Sequence, residues 1–292
     1  MLQQMKTTVV YKKSEQFEIK ADFYPTTLQF APVIVYIHGG GLLWGSKEDI
    51  KVEQVKFYLQ AGFNVFSIDY RLAPETKIPD IVTDIADALS WLKNEGIKQF
   101  DYNPEKIAMI GGSAGGYLAL LSGTFETKPQ AIVSFYGYGD ITGEWALKPS
   151  PHYKKMTAVP KELADMLVSN EVITVGPIQK RYAIYMYARQ NGVWMEKISD
   201  MDIKELQSFC PLYSLDADYP PTLLLHGTID EDVPYEQSVL MSEALTKSGV
   251  ENQLITIPNG KHVFDEDWQS ATVQNAFDHV IQFLRKHLQE DN

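Results

Sequence analysis

The chain has 292 residues, 45% of them hydrophobic and 22% charged, which is the ordinary range for a globular protein that folds without a metal or disulfides. Its single cysteine, Cys210, excludes an internal disulfide, and its formal net charge of −12 argues against nucleic acid as a partner, because phosphates bind to basic surfaces. The apolar runs are strand-sized, far below the ~20 residues of a membrane span, so no membrane insertion is expected.

Short β-rich apolar runs alternate with helical segments, the pattern of a parallel sheet covered by helices. Residues 7–24 predict two antiparallel strands with a polar turn near Ser14. Further strands are predicted, in chain order, at Val33–Ile37, 65–68, 106–110, Ala131–Phe135, 222–225 and 253–257. Helices are predicted at 47–61, 81–94, from 117 onward, at 235–248 and at 271–289.

The alternation stops between about residues 140 and 210, where the sequence is helical, aromatic and interrupted by prolines. This segment predicts a cap insertion at the carboxyl end of the sheet, where open α/β sheets bind their ligands. It is too short for an independent domain, so residues 1–292 are predicted to form a single α/β domain that carries a cap.

Residues 111–115 read Gly-Gly-Ser-Ala-Gly, a G-x-S-x-G pattern between a predicted strand and a predicted helix. A serine on such a sharp turn exposes its hydroxyl, but the turn needs strained backbone angles and close chain approach, which the flanking glycines permit. The helix that follows also directs free N–H groups and its positive end at this position. The pattern predicts Ser113 as a nucleophile; a tight glycine turn with an incidental serine is the competing interpretation.

His38 is followed by three glycines, directly after the strand predicted at Val33–Ile37. Three glycines leave backbone N–H groups uncovered, which suits an oxyanion hole built from the Gly40 and Gly41 region together with the N–H of Ala114. A nucleotide-binding loop does not fit, because no Lys-Ser/Thr follows and the glycines lack dinucleotide-binding spacing. His38 is predicted to brace the loop rather than to act as a base.

A serine hydroxyl needs a base that takes its proton, and the base needs an acid that fixes its tautomer. Among six histidines, His262 lies in the loop after the last predicted strand, where this order of elements places the base. For the acid, Asp230 and Asp232 compete in the loop after the strand at 222–225. Asp230 is favoured, because the residue three after the glycine commonly turns beneath the imidazole. The carboxylates at 230–232 do not have the spacing of a cation site.

The order Ser113, Asp230, His262 is the α/β-hydrolase order. Three segments together resemble the hormone-sensitive-lipase-like esterase branch of that superfamily, small bacterial esterases above all: His-Gly-Gly-Gly at 38–41, Tyr-Arg-Leu-Ala-Pro-Glu at 70–75 and Gly-Ser-Ala-Gly-Gly at 112–116. The resemblance implies the α/β-hydrolase fold, a mostly parallel central sheet with helices on both faces and a helical cap insertion. It also implies an oxyanion hole at Gly39, Gly40, Gly41 and Ala114. Arg71 and Glu75 are interpreted as a salt-bridged turn that supports the site.

The sequence departs from that branch in three places. Gly112 stands before the nucleophile where many members carry an acidic residue, Val263-Phe264 follows His262 where Gly-Phe is common, and the usual N-terminal helical cap is missing. These departures leave the hydrolase prediction intact and affect the expected substrate.

Aromatic residues over the catalytic serine predict an apolar pocket for a short-to-medium acyl chain or an alcohol. The candidates for lining it are Trp44, Tyr136, Tyr182, Tyr185 and Trp194. A plain packing role for the aromatics of the insertion is equally open.

The sequence therefore predicts a carboxylic-ester hydrolase with a small-molecule ester substrate, no cofactor, no metal and an open oligomeric state. An arylformamidase-like amidase and a prolyl-oligopeptidase-like peptidase are alternatives, and a non-catalytic binding homologue is a more distant one. Residues 1–13 lack the apolar run of a signal peptide, which together with the lone cysteine predicts a cytoplasmic location.

Overall fold

The computed structural model describes residues 6–289. Residues 1–5 and 290–292 of the predicted domain lie outside the described part, and residues 1–5 include the start of the N-terminal segment. Within this range the strands are β1 Thr7–Lys13, β2 Glu18–Tyr24, β3 Val33–Ile37, β4 Asn64–Ile68, β5 Ile107–Gly112, β6 Ala131–Phe135, β7 Thr222–Gly227 and β8 Asn252–Ile257. The α-helices are α1 Val52–Gln60, α2 Ile78–Asn94, α3 Ala114–Ser122, α4 Glu144–Leu147, α5 Pro151–Lys154, α6 Lys161–Met166, α7 Ile178–Asn191, α8 Trp194–Ile198, α9 Ile203–Leu206, α10 Glu236–Lys247 and α11 Ala271–Leu288. Short 3₁₀ turns lie at Lys47–Asp49, Gly96–Lys98, Gln207–Phe209, Pro211–Tyr213 and Phe264–Glu266.

The eight strands form one sheet in the order β1-β2-β4-β3-β5-β6-β7-β8. β1 pairs antiparallel with β2, and β2 pairs antiparallel with β4. All remaining neighbours are parallel, from β4 and β3 through to β7 and β8. The predicted antiparallel start and mostly parallel sheet are therefore confirmed, and six neighbouring strands end at the same edge.

Helices cover both faces of this sheet, as the continuous apolar runs of the central strands require. α1 and α11 pack on one face, where α11 buries Phe277, Val280 and Leu284. α2 and α3 pack on the other, where α2 buries Ile81, Ile85 and other side chains at helical spacing. Each such side chain contributes about 1.5–3 kcal/mol by leaving water. Among residues 6–289, no helix is both long enough and apolar enough to cross a membrane.

Three helix starts differ from the prediction. α2, expected at 81–94, begins three residues earlier, at Ile78. The helix expected at 47–61 is a 3₁₀ turn at Lys47–Asp49 followed by α1, because Ser46 and Asp49 close a capping box and Ile50 and Lys51 are extended. The helix expected from 117 begins three residues earlier, at Ala114, so that the first turn of α3 follows Ser113 directly. A Cβ on Gly115 in that turn would lie 2.1 Å from the carbonyl oxygen of Ile37. The glycines of this first turn are weak helix formers, so the sequence does not predict a helix there. The same glycines let α3 begin close against β3.

Residues 140–210, the predicted cap insertion, hold the six helices α4–α9, of which α7 is the longest. α7 is tied to the body of the domain by Arg181, whose guanidinium pairs with Glu75 at 2.6 Å while both side chains are 3% exposed. Arg181 also donates to the carbonyl groups of Leu43 and Ala73. The predicted salt-bridged turn thus has a different pairing, because Arg71 bonds Asp84 at 2.8 Å while Glu75 bonds Arg181 from the insertion.

Glu75→Gln should destabilise the protein by about 3–5 kcal/mol, because it leaves the buried guanidinium of Arg181 without its counter-charge. Urea unfolding followed by circular dichroism measures this loss. Glu144→Gln is the matched control, since Glu144 pairs with Lys148 on the exposed face of the same insertion and its loss should leave the midpoint close to wild type. Equal midpoints for the two variants would contradict an anchoring role for Glu75.

Candidate active site

The predicted site residues follow the carboxyl ends of five adjacent parallel strands. The glycine loop follows β3, Ser113 follows β5, Tyr136 follows β6, Asp230 follows β7 and His262 follows β8. Because parallel strands in register bring these ends to one edge, residues up to 224 positions apart in the chain (38 to 262) come together there.

Ser113 lies at the turn between β5 and α3 with φ 55° and ψ −120°, a conformation that costs a non-glycine residue about 1–3 kcal/mol. Its backbone N–H donates to the carbonyl of Phe135 at 2.9 Å, which fixes the turn to the end of β6. The surrounding packing holds this strained turn and presents the hydroxyl to solvent-accessible space.

A continuous hydrogen-bond chain joins Ser113, His262 and Asp230. His262 Nε2 lies 3.1 Å from Ser113 Oγ, and His262 Nδ1 lies 2.7 Å from Asp230 Oδ2. Since an ionised carboxylate only accepts, Nδ1 carries the proton and Nε2 is free to accept from the serine hydroxyl. This arrangement can remove a proton from Ser113.

The side chain of Asp230 is fully buried, and donors surround its carboxylate. Oδ1 accepts the backbone N–H groups of Asp232 and Val233, each at 2.9 Å, and Oδ2 accepts from His262 and, at 3.2 Å, from His226. Burial alone raises the pKa of Asp230, but the hydrogen bonds from the two histidines outweigh it and hold that pKa well below its ordinary value. The group remains a carboxylate across the physiological range.

Asp232, the competitor for the acid position, takes a different place. Its Oδ1 accepts from the Tyr185 hydroxyl at 2.8 Å, and its Oδ2 lies 3.8 Å from His262 Nε2. Asp232 therefore lies on the cleft side of the imidazole, whereas Asp230 holds the far nitrogen.

The electrostatic surroundings of His262 favour its protonated form. Burial lowers the pKa of His262, but the hydrogen bond to Asp230 and the charges of Asp232 and Asp265 raise it above its ordinary value of 6.5. The imidazolium that forms during proton transfer is thereby stabilised.

The glycine loop lies above Ser113. Gly40 has φ +97°, and a Cβ there would lie 2.0 Å from the carbonyl oxygen of Trp44, so only glycine fits. A Cβ on Gly39 would lie 2.9 Å from the carbonyl oxygen of Gly112, which shows how closely the loop approaches the serine turn. No acceptor among residues 6–289 takes up the N–H groups of Gly40, Gly41 or Ala114. These amides are free to bind a developing oxyanion.

His38 lies below this loop and away from the proton-transfer chain. Its Nδ1 lies 2.9 Å from the Gly39 carbonyl oxygen, and its ring stacks on Tyr70 with centroids 4.1 Å apart. Burial lowers the pKa of His38 to about 4. The ring supports the loop in its uncharged form.

A cleft of about 740 Å³ opens at Ser113 and His262. Trp44, Tyr182 and Tyr185 form an aromatic wall, with the Trp44 ring meeting the two tyrosine rings edge-on at 5.6 and 5.1 Å. Tyr136 lies across from them, its ring 4.9 Å from that of His262.

Trp194 does not line the cleft, contrary to expectation. It is 1% exposed and donates through Nε1 to the carbonyl of Gly41 at 3.1 Å, so it supports the glycine loop from beneath. An indole buried beside a polar backbone needs such an acceptor, and the start of α8 brings it there.

Sequence reasoning missed several residues of the cleft, namely Tyr36, Asp49, Gln54, Tyr153 and Asp265. Asp265 accepts from the Tyr136 hydroxyl at 2.6 Å. Burial raises the pKa of Asp265. Its position three residues after His262 was the available signal, since a 3₁₀ turn at that spacing returns the side chain to the site. Among residues 6–289, no group of three or more His, Cys, Asp or Glu side chains is arranged to hold a metal ion.

With this geometry established, the sequence matches the BD-FAE family over residues 22–245. The chain belongs to the BD-FAE family. The match includes the glycine loop, Ser113 and Asp230. The predicted α/β-hydrolase superfamily and fold class are confirmed by this family membership and by the solved structures that share the fold.

Among solved structures, a Staphylococcus aureus protein of unknown function is 25% identical, with a TM-score of 0.81 over 97% of this chain and 99% of that chain. An α/β-hydrolase superfamily protein from Enterococcus faecalis is also 25% identical, with a TM-score of 0.77 over 96% of this chain and 98% of that one. Esterase 2 from Thermogutta terrifontis is 20% identical, with a TM-score of 0.70 over 98% and 96% of the two chains, and shares the fold.

Curated relatives of this BD-FAE chain include the non-reducing polyketide synthases adrD of Penicillium rubens and ausA of Emericella nidulans. They are 30% and 29% identical over 96% of this chain. The chain spans about 14% of the length of each.

Asp232→Asn should lower the pKa of His262 by up to about one unit, because a neighbouring carboxylate that stabilises the imidazolium becomes neutral. An NMR titration of the imidazole Cε1–H signals measures both values, and the wild-type value should exceed 6.5. Asp267→Asn, a change at an exposed carboxylate in the same loop, is the control and should leave the titration unchanged. A His262 pKa that rises or stays constant in Asp232→Asn would contradict this electrostatic description.

Proposed function

We propose that this protein is a serine hydrolase that cleaves carboxylic esters through an acyl-serine intermediate. The observation that carries the proposal is the hydrogen-bond chain from Ser113 through His262 to Asp230, at the base of an open cleft. Ser113 is the nucleophile, His262 the general base and Asp230 the acid that fixes the base.

In the first half-reaction, Ser113 Oγ forms a bond to the ester carbonyl carbon while His262 Nε2 takes the hydroxyl proton. The carbonyl oxygen becomes an oxyanion, which the N–H groups of Gly40, Gly41 and Ala114 bind. Collapse breaks the bond to the alcohol oxygen, and His262 returns the proton to the leaving alcohol. Asp230 keeps the imidazolium oriented throughout.

In the second half-reaction, water takes the place of the alcohol. His262 removes a proton from water as its oxygen attacks the acyl carbon, and collapse of the second tetrahedral intermediate returns the proton to Ser113 Oγ. The acid is released, and no metal or organic cofactor enters the balance.

The cleft favours a small substrate. Its aromatic wall of Trp44, Tyr182 and Tyr185 offers apolar contact to a short or medium chain. The Thermogutta esterase with the same fold has structures with propionate bound, with butyrate bound and phosphorylated by paraoxon. The bound propionate and butyrate support esters of small acyl groups as the first substrates to test.

Wild-type protein should hydrolyse p-nitrophenyl acetate and butyrate faster than the palmitate ester, because the cleft accommodates short chains. Ser113→Ala should lose at least about a thousandfold in kcat/KM, retaining only what oxyanion and binding contacts provide. Paraoxon should phosphorylate one serine in the wild type, with release of p-nitrophenol, and none in Ser113→Ala; intact-mass spectrometry detects the adduct.

Circular dichroism of both proteins controls for folding in this comparison. Folded wild-type protein that neither cleaves these esters nor reacts with paraoxon would refute the esterase proposal. Turnover of anilide or formanilide substrates at higher kcat/KM than matched esters would instead support an amidase.

Asp230→Asn should lower kcat by roughly 10³–10⁴-fold, because the amide can donate to Nδ1 and favour the wrong imidazole tautomer. Asp232→Asn should stay within about tenfold of wild type, since Asp232 does not contact Nδ1. Steady-state kinetics on p-nitrophenyl butyrate compare the two isosteric variants. The opposite ranking would assign the acid role to Asp232.

A further inference from the structure

A second histidine shares the carboxylate of Asp230. His226 lies in β7, is fully buried, and places Nε2 3.2 Å from Asp230 Oδ2 and 3.1 Å from the carbonyl oxygen of Val233. Its Nδ1 lies 2.7 Å from Ser238 Oγ in α10. The proposed mechanism gives this ring no step.

The partners of His226 fix its tautomer. The Val233 carbonyl and the Asp230 carboxylate can only accept, so Nε2 carries the proton and shares it between them. The Ser238 hydroxyl then donates to Nδ1 of His226. The ring is thereby oriented as an N–H donor aimed at the same oxygen that binds His262.

We infer that His226 is a positioning residue of the active site: its Nε2–H holds the Asp230 carboxylate and, by competing with His262 for Oδ2, sets the basicity of His262. This inference rests on the proposed serine-hydrolase function. The physical reason is that each donor to a carboxylate reduces the negative charge available to the others. Without His226, Asp230 would attract the His262 proton more strongly and would be less firmly oriented.

Other charged groups also face His262, and a substitution at His226 leaves them in place. His262 faces Asp230, Asp232 and Asp265, and Asp232 in turn lies 3.7 Å from the Arg189 guanidinium of the insertion. His226 faces Asp230, and its ring meets that of Tyr235 edge-on at 5.8 Å. Substitution of His226 therefore alters one interaction with the proton-transfer chain, the hydrogen bond to Asp230.

The test compares His226→Met, which fills the space without a donor, with His226→Gln, whose amide nitrogen reaches about as far as Nε2. The Met variant should raise the pKa of His262 by about one unit and lower plateau kcat on p-nitrophenyl butyrate about tenfold, with KM within about twofold. The Gln variant should restore both values toward wild type. His279→Met, on α11 and away from the site, is the control.

The pKa of His262 is measured twice, by NMR titration of the free protein and from the acid limb of the kcat/KM profile. A Met variant with wild-type pKa and kcat overturns the inference. So does a Gln variant that loses as much as the Met variant, because the ring would then serve packing alone.

The NMR titration needs no substrate, so it separates the two proposals: absent ester turnover refutes the esterase function, while an unshifted His262 refutes the role of His226. If the Met variant does not fold, ¹⁵N NMR of wild-type protein at mildly alkaline pH decides. Protonated Nε2 and unprotonated Nδ1 on His226 support the inference, and the reverse tautomer overturns it.

Discussion

A carboxylate without solvent contact needs a donor for each oxygen lone pair, and Asp230 obtains four, two from the backbone that follows it and two from histidines. Their geometry depends on the rest of the fold. The two backbone donors require the tight turn after β7, His262 requires β8 to end beside that turn, and His226 requires β7 itself to be buried on both faces. The sheet therefore fixes the position of Asp230, and through their hydrogen bond Asp230 fixes the orientation of the His262 imidazole.

The insertion supports the other half of the site. Arg181 and Glu75 fix α7 to the body, Trp194 binds the Gly41 carbonyl, and Tyr185 packs against the glycine loop and bonds Asp232. One segment therefore forms the aromatic wall of the cleft and also braces the loop whose amides face the serine. A packing role and a pocket-lining role were alternatives for the aromatic residues of the insertion. Tyr185 has both roles, whereas Trp194 has only a packing role.

The strands could be predicted from the sequence, because runs of buried β-branched residues between glycines allow few other structures. Ser113, Asp230 and His262 could be predicted for a related reason, since each follows a strand in an order that one fold uses. Contacts between side chains on different elements could not be predicted. Trp194 bonds Gly41 and Asp265 bonds Tyr136, and both partners are distant in the sequence. An aromatic residue in a helix and an acidic residue in a turn are also common for purely local reasons, so neither pattern indicates these contacts.

His226 illustrates the same limit, because it directly follows the strand predicted at 222–225 and that pattern says nothing about the contacts of its side chain. Gly112 shows where structure adds a reason to a sequence departure. A Cβ on Gly112 would lie 2.8 Å from the Tyr136 hydroxyl, so a side chain before Ser113 would require the Tyr136 ring to shift. The tyrosine instead brings a carboxylate toward the serine turn from another direction, through its hydrogen bond to Asp265. An acidic group therefore lies near this turn, and it comes from the loop after His262 rather than from β5.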